Sequence, residues 1–560
     1  MLDKLNLPWK KTVDPLDNLK SAQLWWKKVQ SGDVSSTEQA VAEVVNQFIG
    51  GDARATASSL QALMWLDDQV QQSYETLCLQ YLQNPRMPKT LESKLWHQIM
   101  TLAHHMIHAY LIFIKESREN TESPIGPMLP RVLARTLRYL GMQAKWQYFR
   151  FLAPEKKFWA TIHQLYRLSE LRGVDSDSFL LYDSIKARNT SCADEYLQIM
   201  MLATINTGAL SPRQLDMTDQ WLDIWSHHMV MERKFHPGRH RYLVDLAGSA
   251  PVVKLMGDVP AVSLGRYWGT QDLSEQVTAA RNALEGGKAL TLDEAFRQPG
   301  ASELIKLLDA AWSPDPAMQA HRVSDRVQVK KMLDVMYGMK EIFMHVKYDN
   351  ERTTTREKKL DVDVQEMLDM RQYGFVTERT RQRQAQALAE NFQKHTIGEY
   401  ETWVVNNESD GGYGAVLPVV ENDWIRLDVL VGLRPERTDH WQLAVVRRLS
   451  RVGDGQMYAG LQVLAYSPVA VEVKQRDSRN SGYTIQGVDA ATMLSNGLGV
   501  FTPAKSNPQK VNGLVIRSAD YAQDKPLTMI SMGRELKVRT REVLAKGTDW
   551  VWVRVESDVA

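Results

Sequence analysis

The chain has 560 residues, of which 44% are hydrophobic and 24% charged, with a formal net charge of +1. That length exceeds what a single hydrophobic core supports, so roughly two to four domains are expected. The near-zero charge excludes a global attraction to nucleic acid polymers or anionic membrane, so any anion site must be local.

The opening MLDKLNLPWKK lacks the apolar run of a signal peptide. No stretch reaches the roughly 18 apolar residues of a membrane span, so a cytoplasmic protein without membrane insertion is expected. The two cysteines, Cys78 and Cys192, stand in apolar helical contexts and read as core thiols. Up to residue 345 apolar positions recur at helical spacing. Ser35-x-x-Glu38 reads as a capping box opening AVAEVVNQF, with Leu60, Leu63, Met64 and Val70 following at helix intervals. Residues 1–345 are therefore expected to be an α-helical domain, of a type the sequence does not specify.

Histidines cluster twice in that half. His97, His104, His105 and His108 share a helix, but no carboxylate follows at metal-ligand spacing. His227, His228, His236 and His240 are interleaved with Arg233, Lys234 and Arg239, which repel a divalent cation and suggest an interaction surface. No metal site and no cofactor are expected. An enzyme built on these histidines would have to carry bound metal.

Residues 346–371 read as a charged linker and short helix, in which Asp361 and Asp363 suit a solvated helix start. Beyond residue 399 the period falls to two, in ETWVV, AVLPVV, WIRLDVLVGL, HWQLAVVRRLSRV, MYAGLQVLAY and VAVEVKQR. Six such strands without a long helix between them describe a small barrel or sandwich over 372–470. Residues 471–560 continue in β pattern as an extension or a second barrel. The fold class is thus multidomain α+β, helical in front and β behind. No phosphate-binding glycine loop, dinucleotide fingerprint or nucleophile elbow occurs, and nothing points to catalytic residues or an enzyme.

Two elements remain. RTRQR sets Arg379 and Arg383 four apart, with Arg381 between them, and NNESDGGYG spans Asn406 to Gly414. Guanidinium forks match phosphate oxygens or a guanine O6/N7 edge. Asn407 and Ser409 can reach a guanine edge or ribose, while Gly411 and Gly412 allow close backbone approach and positive φ. A one-residue change of register would exchange Asn406 and Asn407 between faces.

The pair resembles the PilZ family of bacterial cyclic di-GMP receptors, whose pattern is RxxxR followed, after some twenty to thirty residues, by [D/N]xSxxG at the start of a six-stranded antiparallel β-barrel. Here Arg383 and Asn407 are 24 positions apart. RxxxR alone arises by chance about two or three times in such a chain, whereas both halves at this spacing before a β-domain arise about once in a hundred. The resemblance covers residues 372–470 and implies a cytoplasmic signalling receptor. It implies ligand contacts from Arg379, Arg383, Asn407, Ser409 and Gly412, with Arg381, Asn406 and Gly411 as auxiliaries. It also implies relay to the helical domain and, through that domain, a protein partner. The alternative is a degenerate barrel serving as a protein-interaction scaffold without nucleotide.

Overall fold

The computed structural model describes residues 14–558 apart from 52–54, 85–86, 121–122, 184–187, 256–258, 260–261, 316–325, 374–375, 383–399, 420–423, 454 and 476–496. Two compact units result, Met1–His321 and Arg322–Ala560, each taken here by itself. No helix among the described residues is long and apolar enough to cross a membrane.

The first unit opens with α1 (Leu19–Val29), α2 (Val34–Gly50), α3 (Ala57–Gln83), α4 (Lys89–Glu119), α5 (Leu129–Tyr148) and α6 (Lys156–Arg172). The hairpin of β1 (Phe179–Leu180) and β2 (Asn189–Thr190) precedes α7 (Cys192–Thr204) and α8 (Pro212–Trp225). Leu60, Leu63, Met64 and Val70 are all buried in its core, as their spacing predicts. Three helices are tied by one carboxylate: Asp67 of α3 accepts from the Tyr110 hydroxyl of α4 and the Tyr139 hydroxyl of α5, each at 2.6 Å, and faces buried Arg135 at 3.2 Å. Cys192 is free and buried, and burial pushes its thiol up to about 12. Cys78 is also free, its thiol raised by burial.

Two readings of this half need correction. Asp33, not Ser35, caps α2 by accepting from the Ser36 amide at 3.0 Å. Ser35 then sits inside the first turn, where its hydroxyl donates to Gln98 Oε1 of α4 at 2.9 Å, and Glu38 is buried. The region is also not wholly helical. β3 (Tyr242–Asp245), β4 (Val253–Lys254) and β5 (Gly265–Trp268) form an antiparallel sheet in the order β4-β3-β5, followed by α9 (Gln271–Glu285) and α10 (Ala301–Trp312). Strands of two to four residues are too short to establish a period of two.

The second unit begins earlier than the sequence suggests. β6 (Val327–Tyr337) lies within the span expected to be helical, and α11 (Met339–Tyr373) runs unbroken for 35 residues through the supposed linker. Then come β7 (Glu401–Ser409), β8 (Gly412–Pro418), β9 (Leu430–Pro435), β10 (Gln442–Arg451) and β11 (Gln456–Ala465). With β6 they close a six-stranded barrel in the order β10-β11-β8-β7-β6-β9. β12 (Val469–Gln475), β13 (Gly497–Thr502), β14 (Gly513–Arg517), β15 (Pro526–Ser531), β16 (Arg534–Lys546) and β17 (Trp550–Ser557) close a second barrel, so the C-terminal β pattern is a barrel of its own.

Cross-strand pairing separates the two faces of each sheet. Val471, Leu514, Leu527, Val538 and Val553 fill the second barrel, whereas Ala470, Val500, Val515 and Trp552, paired in a row across four strands, face outward. That outer row shares one core with Leu443, Val445 and Leu464 of the first barrel and with Ile342, Phe343 and Val346 of α11. The first turns of α11 are thus wedged between the barrels. Phe343→Ala is expected to cost about 3–5 kcal/mol, read as a lower guanidinium midpoint in tryptophan fluorescence. A change below about 1 kcal/mol would remove the wedge.

Candidate ligand-binding face

NNESDGGYG raises the question of why nine polar, glycine-rich residues join two strands. Most of them are strand. β7 runs to Ser409 and β8 begins at Gly412, which leaves only Asp410 and Gly411 as a two-residue connection. Neither Gly411 nor Gly412 uses the positive φ that glycine permits. Gly412 serves close approach instead, because a Cβ there would collide with the Leu461 carbonyl of β11.

The register question is settled by a bulge. Val405 pairs with Ala415, but Asn407, not Asn406, pairs with Gly414. Trp403, Val405, Ala415, Ala459 and Leu461 are buried inside the barrel. The extra residue at Asn406 turns Asn407 to the outer face, with Ser409 two residues further on the same face. Asn406 itself is exposed.

Pairing carries that outer face across four strands. Asn407 stands opposite Gly414, Gly414 opposite Gly460, and Gly460 opposite Arg448, with Gly412 opposite Gln462 alongside. Three glycines therefore add no side chains to this face, with Gly412 half-buried and Gly414 and Gly460 buried. Around it stand Asn407, Ser409, Tyr458, Gln462 and the exposed Arg448. A Cβ on Gly414 would clash with the Tyr458 hydroxyl and the Asn407 amide, so glycine is required for those two to meet. Asn407 Nδ2 donates to the Tyr458 hydroxyl oxygen at 3.2 Å, and Arg326 donates to the same oxygen at 3.1 Å. Ser409 Oγ reaches the Gly412 carbonyl only at 3.5 Å, so its hydroxyl is nearly uncommitted. Arg447, the residue of a second bulge, donates to Gln462 Oε1 at 2.9 Å and to Asp428 at 2.5 Å.

The arginine half of the motif is partly described. Residues 378–382 are helical, with Arg379 and Arg381 exposed, and Arg383 lies outside the described residues. Arg381 approaches Glu378 at 3.9 Å, an exposed pair of little consequence. The turn is fixed by Asp369 near the end of α11, which accepts from the Thr377 amide at 3.0 Å and from the Thr377 and Thr380 hydroxyls at 2.7 Å. Those bonds, Thr380 first, hold the Asp369 carboxyl below its ordinary 3.8. A lowered carboxyl stabilises the turn above its unfolded pKa and releases it as pH falls through the lowered value, so at neutral pH the pin is complete. Arg326, Arg448, Tyr458 and Gln462 escaped the sequence reading. Arg448 and Tyr458 lie in the quoted runs VVRRLSRV and MYAGLQVL, but only the register reveals their face.

The six-stranded barrel carries an Asn-x-Ser-x-x-Gly corner, with exposed arginines in the segment that leads into β7, and it is a PilZ domain: residues 345–469 match the family model for the middle PilZ domain of the cyclic-di-GMP receptor FimW. Residues 20–236 match the model for that receptor's N-terminal domain. The cyclic-di-GMP receptor FimW of Pseudomonas aeruginosa is 23% identical over 437 residues, which is 70% of this chain and 68% of that protein. The PilZ match starts inside α11, so β6, which closes the barrel, lies outside it.

Asp369→Ala is expected to speed tryptic cleavage after Arg379 and Arg381 at pH 7, while the barrels stay resistant. An unchanged cleavage rate would show that the carboxylate does not pin the turn.

Proposed function

We propose that this protein is a receptor and effector for cyclic di-GMP, held on the glycine-floored outer face of the first barrel. The observation that carries the reading is the bulge that brings Asn407, Ser409 and Gly412 onto one face, within a domain matching a cyclic-di-GMP receptor. A flat purine needs a face without side chains of its own, and Gly412, Gly414 and Gly460 leave one once the Asn407 amide and Tyr458 hydroxyl, which meet over Gly414, move apart. Ser409, nearly uncommitted, offers a hydroxyl to guanine or ribose. Asn407 would exchange its bond to Tyr458 for one to the ligand. Arg379 and Arg383 would clamp the phosphates and a guanine edge, with Arg381, Asn406 and Gly411 in support.

The same exchange suggests a relay. Arg326 touches Tyr458 and directly follows residues 316–325, which join the barrel to the helical unit. Drawing Asn407 away alters the partner of Tyr458, and with it the grip on Arg326. The helical unit would then present its output to a protein partner in a nucleotide-dependent way, by population shift. We place this activity in the cytoplasm, without metal or catalysis.

The engagement of Asn407 with Tyr458 also favours a second reading, a scaffold whose polar corner serves only the barrel. Calorimetry separates the two. Wild type should bind cyclic di-GMP near micromolar, about −8 kcal/mol, and Arg383→Ala or Ser409→Ala should each lose about 1–3 kcal/mol, a weakening of about 5- to 150-fold. Unchanged affinity in both variants would remove the assigned site, and no heat from wild type at millimolar ligand would leave the scaffold.

A further inference from the structure

Within the helical unit, α2 and α4 line an open cavity of about 730 Å³. Its wall includes Glu38, which is 0% exposed and has neither carboxyl oxygen hydrogen-bonded among the described residues. An unpartnered carboxyl in such a place is costly and calls for a reason. Gln98 lies beside it but is committed to Ser35 through both ends of its amide, donating to the Ser35 carbonyl at 2.8 Å and accepting from its hydroxyl at 2.9 Å. Burial raises the Glu38 carboxyl to about 7, with Gln98 opposing the shift only in part.

Two histidines of α4 line the same space. His97 Nδ1 lies 2.7 Å from the Ser93 carbonyl, and His105 Nδ1 lies 2.9 Å from the Ala42 carbonyl of α2. A carbonyl only accepts, so both rings carry hydrogen on Nδ1, and in the neutral ring Nε2 is left as an acceptor. Glu43 and Lys94, both exposed, add one charge of each sign at the rim. The cavity therefore gathers acceptors around one buried acid. Acceptors around a buried carboxyl suit a ligand that brings both positive charge and N–H donors, and among the described residues no group of three His, Cys, Asp or Glu side chains could hold a metal ion.

We infer that the α2–α4 cavity binds a guanidinium or alkylammonium group, with Glu38 as its counter-ion and His97 and His105 accepting further N–H bonds. The source is either a small amine or an arginine or lysine side chain of a partner protein. The site is independent of the nucleotide face. When the cation enters, the Glu38 carboxyl ionises and its proton passes to solvent, so the occupied site holds one paired charge of each sign. Binding strengthens as pH rises toward 7 and levels off above it.

The test is calorimetric titration of the full chain with agmatine, and separately with a blocked Gly-Arg-Gly tripeptide. Each is run at pH 6 and pH 8 in buffers of different ionisation heat. Saturable binding should be about tenfold weaker at pH 6, where most carboxyls at this site are protonated, with about one proton released per cation. Glu38→Gln should weaken it tenfold or more, and Ser409→Ala should leave it unchanged. Tighter agmatine indicates a small amine, and a tighter tripeptide indicates a protein side chain. No binding of either probe, or binding without proton release at pH 6, overturns the inference, and both are read on wild type whether or not the variant folds. Equal affinity in a folded Glu38→Gln overturns it as well. The failure of cyclic di-GMP to bind would not touch it.

Discussion

Two neighbouring side chains on α11 hold the C-terminal unit in register. Asp349 accepts from the Trp441 amide of the first barrel at 2.8 Å. Asn350 donates to the Pro468 carbonyl at 3.3 Å and accepts from the Ala470 amide at 2.9 Å, at the join between the barrels. Asp349 is buried, and burial raises its carboxyl, so the Trp441 bond compensates a group that would otherwise be costly. Apolar packing alone would let a helix slide along a smooth sheet. Backbone groups gripped from consecutive positions allow one depth and one rotation, and Ile342, Phe343 and Val346 then meet their partners from both barrels.

This clamp decides which part of the first barrel remains free. Leu443, Val445 and Leu464 share an outer face with Arg448, Gly460 and Gln462, because strand pairing links them. The former are covered by α11 and the second barrel. The latter continue the same sheet beyond that cover, where polar side chains and glycine replace aliphatics. One sheet face is thus divided into a half covered by α11 and the second barrel and a half that carries the exposed Arg448 and Gln462. Bulges at Asn406 and Arg447 mark the division, each shifting the side-chain alternation by one residue. Without the bulge in β7, Asn407 would point into the barrel and Ser409 with it.

The β half was legible wherever alternation was strong. MYAGLQVLA had a continuous apolar side in Met457, Ala459, Leu461, Val463 and Ala465, and QLAVV opened the strand before it with an apolar run, and both are barrel strands. β6 was not legible, because VQVKK has little buried surface on either side in its first five residues. The supposed linker failed for a related reason. A helix attached through its first turns needs no apolar stripe further along, so α11 continues through charged sequence that looks like a solvated connection. The capping-box reading of Ser35 and Glu38 failed because Asp33, two residues earlier, takes the cap by accepting from the Ser36 amide. In the candidate face, the Asn-x-Ser-x-x-Gly corner was visible as a motif. Tyr458 and Arg326 were not, because Tyr458 meets Asn407 from a strand 51 positions away and Arg326 joins through that tyrosine from 132 positions away in the chain.

α11 also has a consequence for signalling under the proposed reading. A helix of 35 residues spans about 52 Å at 1.5 Å per residue. Its first turns are fixed between two barrels, and Asp369 near its end fixes the turn that carries Arg379. A ligand seated on the glycine floor and gripped by that arginine segment would connect the far end of the helix to the barrel in which the near end is rooted. Both ends would then be anchored, and the bending freedom of the charged middle would fall. Binding that removes such freedom stabilises one arrangement without creating a new contact at the output. The arginines serve this best from a pinned but exposed turn, because a guanidinium already paired within the fold would have to be released before it could close on phosphate.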